Sequence, residues 1–262
     1  MTSRQRKKLK SDLAWSTVDR IVVRGKDLPN QILGHVNLGD MAFLELTGRL
    51  PDAKESQLFN AMVVTLVEHG MTPSAIATRM TLAGAPEAMQ AAVAAGLCGL
   101  GSVFVGSMET AARMLQEAMP DPGATVDIEA LARAVVEDHR TRKRPVPGIG
   151  HRFHKPIDPR APKVFEIAAA NGFSGKYVAL MRAIARHAEA SLGKPLPVNA
   201  TGAIAAVASE LGLPWNIVRG IGVMARAIGL VGHIREELRL PMARGILSRV
   251  EEEASSHLRG GR

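Results

Sequence analysis

The sequence predicts an all-α protein built from closely packed helices. Hydrophobic residues form 46% of the chain but aromatic residues only 3%, and a core of Ala, Val, Leu, Ile and Met suits helix packing better than a pleated sheet. Apolar residues recur at helical spacing in most segments, whereas alternation with a period of two is confined to residues 20–28. The length of 262 residues exceeds that of a usual compact domain. We therefore expect a large helical domain and a smaller one.

The first half of the chain contains a well-defined helix and a run of helices rich in small residues. The predicted helix at residues 52–69 has an acidic first turn and a stop at Gly70. Residues 72–119 are rich in Ala, Gly, Ser and Met, so helices there can approach closely. Breaks at 84–86 and 99–106 predict two or three helices in this region.

The second half continues with helices on either side of an irregular stretch. Thr125 or Asp127 is the N-cap of a helix that runs to residue 140. Irregular chain follows. Further helices are predicted at residues 161–192 in two pieces around NGFSG, after the Pro-rich residues 194–202, and at 214–240 almost to the end of the chain.

Charge and cysteine content limit the possible partners. The formal net charge of +8 suits nucleic acid, a membrane or a phosphorylated small molecule. Few aromatic residues are present for base stacking and no recognition motif appears, which argues against nucleic acid. We find no apolar run long enough to span a bilayer. The single cysteine, Cys98, permits no internal disulfide, so we expect a cytoplasmic protein with Cys98 packed in the core.

The irregular stretch is the most informative part of the sequence. PGIGHR places two glycines just before His151, where the backbone can approach a ligand closely because no Cβ intervenes. The donors that suit phosphates and carboxylates are Arg152, His154, Lys155 and Arg160. A basic surface connection is the alternative interpretation. No two histidines have a third ligand at metal-site spacing, so no metal is predicted.

PGIGHRFHKPIDPRA (residues 147–161) resembles the PG-x-GH-x-x-x-K-x-x-DPRA signature of the citrate synthase superfamily. GHVNLGDMAFLELTGRLPDAKESQLFNAMVVTLVEHG is similar to the early helices of that family, and VMARAIGLVGHIREE is similar to its late arginine-bearing helix. The resemblance covers residues 20–250. In length and in VPGIGHR the chain is more similar to the short citryl-CoA lyase group, the lyase module of ATP-citrate lyase, than to a citrate synthase.

The resemblance implies an enzyme that cleaves a 3-hydroxy-acyl-CoA thioester to an acyl-CoA, such as acetyl-CoA, and a 2-oxo acid, such as oxaloacetate. The alternatives are a condensing citrate or methylcitrate synthase and a non-catalytic acyl-CoA-binding protein. We expect a homodimer or a dimer of dimers. We place the large domain at residues 1–108 and 205–262, and the small domain, with a substrate loop at 145–162, at residues 109–204.

The resemblance also implies roles for individual residues. His69 and His151 contact the carboxylate, carbonyl or hydroxyl oxygens of the substrate, and Arg160 and Arg226 hold its carboxylates. Arg226 lies in an apolar helix, where an unpaired buried charge is costly, so a ligand carboxylate explains its presence. The residues expected to bind CoA are Pro147, Gly148, Ile149, Gly150, Arg152 and Lys155.

Two residues depart from the family pattern. Phe104, expected next to the substrate, replaces a histidine of the synthases that the lyase modules also lack, which favours the lyase. Thr201 replaces an aspartate that moves the proton at the α-carbon of the acyl group. A threonine hydroxyl is no base near neutral pH, but it can donate a hydrogen bond to a thioester oxygen. Three explanations remain open: another acid such as Glu109 or Asp158, a substrate whose cleavage needs less help, or binding without turnover.

Overall fold

The computed structural model of the protein describes residues 9–103, 105–151 and 154–259. The described backbone is mostly helical, which confirms the predicted all-α class. The chain divides into two compact units, one ending at Asn60 and one beginning at Ala61. The predicted domains, 1–108 with 205–262 and 109–204, have other boundaries and stay a prediction.

The first unit begins with a small antiparallel sheet of strand order β1-β2-β3, formed by Ala14–Ser16, Ile21–Val23 and Lys26–Asp27. Arg24 and Gly25 have φ angles of 48° and 75°. Two successive left-handed residues make the tight turn that matches the twist of paired strands, so the alternation predicted at residues 20–28 corresponds to β2 and β3. A helical turn, Leu28–Ile32, and helix α1, Leu38–Thr47, follow.

Helix α2, Ala53–Val67, continues from the first unit into the second. The helices that follow are α3 Pro73–Gly84, α4 Met89–Cys98, α5 Gly106–Ala118, α6 Ile128–Thr141, α7 Arg160–Ala170, α8 Lys176–Leu192, α9 Ala200–Glu210, α10 Trp215–Arg239 and α11 Ala243–Arg259. These bounds confirm the predicted helices and their breaks. Asp127 is the N-cap of α6, since its side chain accepts the backbone N–H of Ala130 at 3.0 Å.

One helix was not predicted and one local expectation is wrong. The helix predicted at 214–240 is confirmed as α10, which ends before Pro241, a residue with no N–H to continue it, and the further helix α11 was not predicted. Cys98 is exposed at the end of α4 rather than packed in the core.

Helix α9 forms the centre of the second unit. Every residue from 203 to 208 is fully buried, and α9 packs against α5, α7, α8 and α10. A helix that is apolar on all sides is buried on all sides. Its alanines allow the neighbouring helices to approach closely, and the buried residues are mostly Ala, Val, Leu, Ile and Met, as the composition predicted.

Helix α10 is long and apolar enough, by length and composition, to cross a membrane, with a mean hydropathy of 1.5 over its most apolar stretch. The sequence analysis missed this run. Half of the stretch is buried inside the protein, and the helix buries the polar side chains Arg226 and His233. We interpret α10 as a core helix, since a buried helix of a globular protein can have the same length and apolar composition.

Candidate active site

The PGIG loop, residues 147–150, lies on the N-terminal end of α9. The backbone N–H of Gly150 donates to the carbonyl of Pro197 at 2.7 Å. A Cβ on Gly148 would lie 2.7 Å from the Cα of Gly202, and one on Gly202 would lie 2.2 Å from the carbonyl oxygen of Gly148. The glycines thus let two backbones touch. The N–H of Gly150 is therefore bonded within the protein, and the contact of Gly148 and Gly150 with CoA stays a prediction.

Asp158 joins the first residue of α7, Arg160, to the first residue of α9, Ala200. It is fully buried, it accepts the backbone N–H of Ala200 at 2.9 Å, and the guanidinium of Arg160 contacts its two oxygens at 3.0 and 2.9 Å. Burial alone would raise the pKa of Asp158, but the hydrogen bonds from Arg160 and Ala200 lower it to about 2. Asp158 is therefore an ionised anchor and does not replace the family aspartate as a proton carrier.

Three histidines gather beside this anchor. The ring centroids of His69 and His151 are 6.2 Å apart, those of His69 and His154 are 5.9 Å apart, and the rings of His151 and His154 stack at 4.4 Å. His69 follows α2, while the other two precede α7. The structure brings together the two histidines predicted to contact substrate and adds His154, which sequence reasoning left open between a ligand-binding and a loop residue.

Hydrogen bonding fixes the form of His151. Its Nδ1 accepts the backbone N–H of His154 at 2.9 Å, so the neutral ring carries its proton on Nε2 and donates from that atom. Burial lowers the pKa of His151, and the charge of His154 lowers it further. Burial also lowers the pKa of His69, followed by the charges of Arg160 and Arg226. Both rings are thus mainly neutral hydrogen-bond donors at pH 7.

The same cluster is compact enough to hold a metal ion, because one nitrogen from each histidine lies within 4.8 Å of the others. Spacing along the sequence did not predict this grouping. A histidine that binds a metal must offer a nitrogen without a proton, whereas His151 uses Nδ1 as an acceptor and keeps its proton on Nε2. The charges of Arg160 and Arg226 also reach the cluster. The donor set favours an anionic ligand over a cation.

Arg226 is the buried cation of the site. It is 7% exposed, its Nε is buried without a hydrogen-bond partner, and no carboxylate in the described parts of the chain forms an ion pair with it. Burial lowers the pKa of Arg226, the charge of Glu68 raises it, and that of Arg160 lowers it. A buried guanidinium without a partner is costly, so a ligand carboxylate fits here, as the sequence predicted.

Thr201 lies in the first turn of α9. Its hydroxyl donates to Oδ1 of Asn199 at 2.7 Å and lies 3.2 Å from the Ser107 hydroxyl, which donates to it. Asn199 is the N-cap of the helix, and its Nδ2 donates to the carbonyl of Gly150 at 2.7 Å. The predicted donation from Thr201 to a thioester oxygen is therefore wrong for this arrangement, because Asn199 takes the proton.

Four other residues considered for the site are Glu109, Lys155, Phe104 and Arg152. Glu109, the other acid considered, forms an ion pair with Arg219 at 2.5 Å, so its carboxylate is also engaged. Lys155 is exposed. Phe104 and Arg152 lie outside the described residues, and their roles stay predictions.

A cavity of about 360 Å³ lies beside the PGIG loop. Its apolar walls include Val146, Ile149 and Leu196, and its basic lining residues are Arg140, Lys143, Arg144 and Lys194. The basic run at 140–144 precedes the PGIG loop in the chain, whereas Lys194, Asn199 and Ser107 were not recognised from the sequence. For Asn199, an N-cap residue type just before an Ala-rich helix was the available signal.

The fold and the site define a helical protein with a partly exposed histidine cluster near the buried Arg226 and with a basic cavity beside the PGIG loop. The chain matches the family described as citrate synthase, C-terminal domain, over residues 20–248. It therefore belongs to the citrate synthase family.

Several relatives are informative. The structure of citryl-CoA lyase from Hydrogenobacter thermophilus is 33% identical, with a TM-score of 0.80, over 89% of this chain and 88% of that chain. ATP-citrate synthase subunit 1 of Sordaria macrospora is 27% identical over 77% of this chain and 31% of its own length. Citrate synthase of Deinococcus radiodurans is 28% identical over 81% of this chain and 55% of its own length. These relatives are enzymes, and the chain spans between a third and about half of the two curated ones.

Proposed function

We propose that this protein cleaves a 3-hydroxy-acyl-CoA thioester related to citryl-CoA, releasing an acyl-CoA and a 2-oxo acid. The observation that carries this proposal is Arg226, a buried residue whose Nε has no hydrogen-bond partner among the described residues and whose charge reaches the histidine cluster. A small carboxylate supplies the acceptor that Arg226 needs, and a hydroxyl or carbonyl oxygen on the same molecule can contact His69 and His151. Similarity to a citryl-CoA lyase over nearly the whole of both chains supports the same chemistry.

In the proposed reaction the arginines hold carboxylates and the histidines act on the oxygen that changes from hydroxyl to carbonyl. His151 donates from Nε2 to this oxygen, so it orients the hydroxyl and does not take its proton. When the carbon–carbon bond breaks, its electrons pass to the α-carbon of the thioester, which gains a proton. The hydroxyl gives its proton to water and becomes the 2-oxo group, and water supplies the proton that the α-carbon gains, so the cleavage is balanced.

Thr201, Asp158 and Glu109 bear on the choice of substrate. The Thr201 hydroxyl is bonded to Asn199, and the two acids are paired with arginines. We therefore propose a thioester whose α-carbon needs less help from a carboxylate than that of citryl-CoA. The same observations favour a second candidate, a non-catalytic acyl-CoA-binding protein.

The basic cavity beside the PGIG loop is the proposed site for CoA. Lys143, Arg144 and Lys194 supply charges for its phosphates, and Val146 and Ile149 supply apolar surface. This assignment moves the proposed phosphate contacts from Lys155 to the cavity.

The first prediction tests the carboxylate site. Wild-type protein is incubated with citryl-CoA and a series of 3-hydroxy-acyl-CoA esters, and release of the 2-oxo acid is followed. Arg226→Met should lower kcat/KM for the best substrate by about 10- to 100-fold, the size of a lost charge-assisted hydrogen bond. Arg235→Met, on the exposed side of the same helix, should match the wild type.

Two results would go against the proposal. Equal activity of Arg226→Met and Arg235→Met would remove Arg226 from the site. Binding of every ester in calorimetry, without release of a 2-oxo acid and without condensation in the reverse direction, would favour the non-catalytic acyl-CoA-binding protein.

A further inference from the structure

The turn that carries His69 is held by a neighbouring carboxylate. Oε1 of Glu68 accepts the backbone N–H of His69 at 2.8 Å and that of Gly70 at 2.6 Å. Burial alone would raise the pKa of Glu68, but the N–H of His69, the interaction with His233 and the N–H of Gly70 lower it. Glu68 is thus an ionised clamp on the backbone of a proposed substrate contact.

His233 holds this carboxylate in turn. Its Nε2 lies 3.2 and 3.1 Å from the two oxygens of Glu68, and its Nδ1 lies 3.2 Å from Nε and 2.9 Å from Nη2 of Arg79. A guanidinium can only donate, so Nδ1 accepts and the proton of the neutral ring faces Glu68. His233 is 8% exposed and Arg79 is fully buried.

The guanidinium of Arg79 also bonds to two acidic residues of α10. Its Nη1 donates to Glu237 at 2.8 Å, and its Nη2 contacts Glu236. Glu237 also accepts the backbone N–H groups of Met242 and Ala243, both at 2.9 Å, at the start of α11. The two glutamates therefore balance the buried charge of Arg79, and they hold its guanidinium in the orientation that faces His233.

A close backbone contact completes the arrangement. A Cβ on Gly229 of α10 would lie 2.0 Å from the carbonyl oxygen of Val67, directly before Glu68. Helix α10 therefore lies against the end of α2, and it also carries Arg226, one turn before Gly229. The contact between Gly229 and Val67 thus sets the distance between Arg226, the proposed carboxylate-binding residue, and His69.

We propose that Glu68, His233 and Arg79 are positioning residues that fix His69 relative to Arg226. The proposal rests on the proposed function for the role of His69 as a substrate contact. The hydrogen bond from the N–H of His69 to Glu68 connects this network to the backbone of His69, and stability alone does not require that connection.

The test compares two substitutions of His233. His233→Leu removes both hydrogen bonds, whereas the amide of His233→Gln can accept from Arg79 and donate to Glu68. Calorimetry with oxaloacetate should show affinity about tenfold lower for His233→Leu and within about twofold of wild type for His233→Gln. The control is His187→Leu, which breaks the comparable pair with Glu129, 2.7 Å apart and on the surface, and should leave the affinity unchanged.

A second pair of variants tests the same proposal if His233→Leu does not fold. Glu68 is half exposed, so Glu68→Ala should fold. It should lose about tenfold in oxaloacetate affinity, while Glu68→Gln, which keeps an acceptor oxygen, should retain most of it. The nuclear magnetic resonance signal of the His69 ring, assigned with His69→Gln, should shift in Glu68→Ala and His233→Leu and stay near wild type in the glutamine variants.

The ring signal separates this proposal from the proposed function. If wild-type protein binds no oxaloacetate, the assignment of substrate fails, but a shifted His69 signal in the Ala and Leu variants alone still supports the positioning role. An unchanged His69 signal and unchanged affinity in folded Glu68→Ala would overturn it.

Discussion

At the scale of single residues, Thr201 marks the largest departure of this site from the family pattern. Its hydroxyl is part of the cap of α9, where it donates to Asn199 and accepts from Ser107. A side chain at this position therefore faces one donor, the Ser107 hydroxyl, and one acceptor, Oδ1 of Asn199, at a helix N-terminus where the macrodipole stabilises negative charge. The Ser107 hydroxyl and the macrodipole favour a carboxylate at residue 201, whereas Oδ1 of Asn199 opposes one.

Thr201→Asp should accordingly raise citryl-CoA cleavage at least about tenfold above wild type, since general acid–base groups contribute roughly 10²–10⁴ in rate. Thr201→Asn, with the same shape and no charge, is the matched control, and Thr201→Ala should also remain slow. Oxo-acid release is measured for all three. Equal rates for the Asp and Asn variants would show that a carboxylate at residue 201 does not restore proton transfer.

At the scale of elements, the site depends on how α9 begins. The PGIG loop, the start of α7 and the first turn of α9 meet there, and Asp158 connects two of them through Arg160 and the N–H of Ala200. A buried carboxylate in this position stabilises the junction only while it is ionised and paired. The geometry of the site thus depends on one ionised carboxylate that is bonded within the protein.

Asp158→Asn should lower the free energy of unfolding by about 2 kcal/mol or more at pH 7, as expected from a pKa near 2 in the folded protein. Because this pKa is depressed, the stabilisation is present above the ordinary pKa of 3.8. It is lost as pH falls through about 2. Denaturant unfolding at pH 7 and pH 3 should therefore show the gap between wild type and variant shrinking. Asp127→Asn, at an exposed N-cap where Asn caps as well as Asp, should change stability little, and a pH-independent gap for Asp158→Asn would contradict the ionised anchor.

The sequence predicted most of the elements and only part of the site, for physical reasons. Helix bounds depend on local periodicity and caps, so α6 with Asp127 was recognisable, and Arg226 was identified because a charge in an apolar helix is conspicuous. His154 joining the cluster, Lys194 lining the cavity and Arg79 reaching His233 all depend on contacts between distant segments. The helix predicted at 214–240 ends before Pro241, as α10 does, whereas α11 was not predicted.

At the scale of the whole molecule, apolar surface remains exposed on the second unit. Val103 is exposed, and so are Ile228 and Val231 on α10 and Leu247 and Val250 on α11. Contiguous apolar surface is typical of sites that bind another protein, so these side chains are candidates for a contact between subunits. They support the prediction of a homodimer or dimer of dimers.

Sedimentation at micromolar concentration should therefore detect a dimer or a tetramer. Leu247→Glu should weaken association if α11 contributes, whereas Arg249→Glu on the same exposed helix provides a control for a changed charge. A wild-type monomer at micromolar concentration would contradict the predicted assembly.

The net charge of +8 acts over the whole molecule, and the basic cavity concentrates part of it where CoA is proposed to bind. Salt screens charges on Lys and Arg from phosphates, so CoA affinity measured by calorimetry should fall as NaCl rises from about 0.05 to 0.5 M. Lys194→Ala should weaken binding at low salt by about 1 kcal/mol or more and should flatten this salt dependence, because one phosphate contact is lost. Lys163→Ala changes the net charge equally but removes an exposed lysine paired with Glu166, so it should reproduce neither effect. If Lys194→Ala and Lys163→Ala change CoA affinity and its salt dependence equally, CoA binding depends on the overall charge of the protein and not on the cavity.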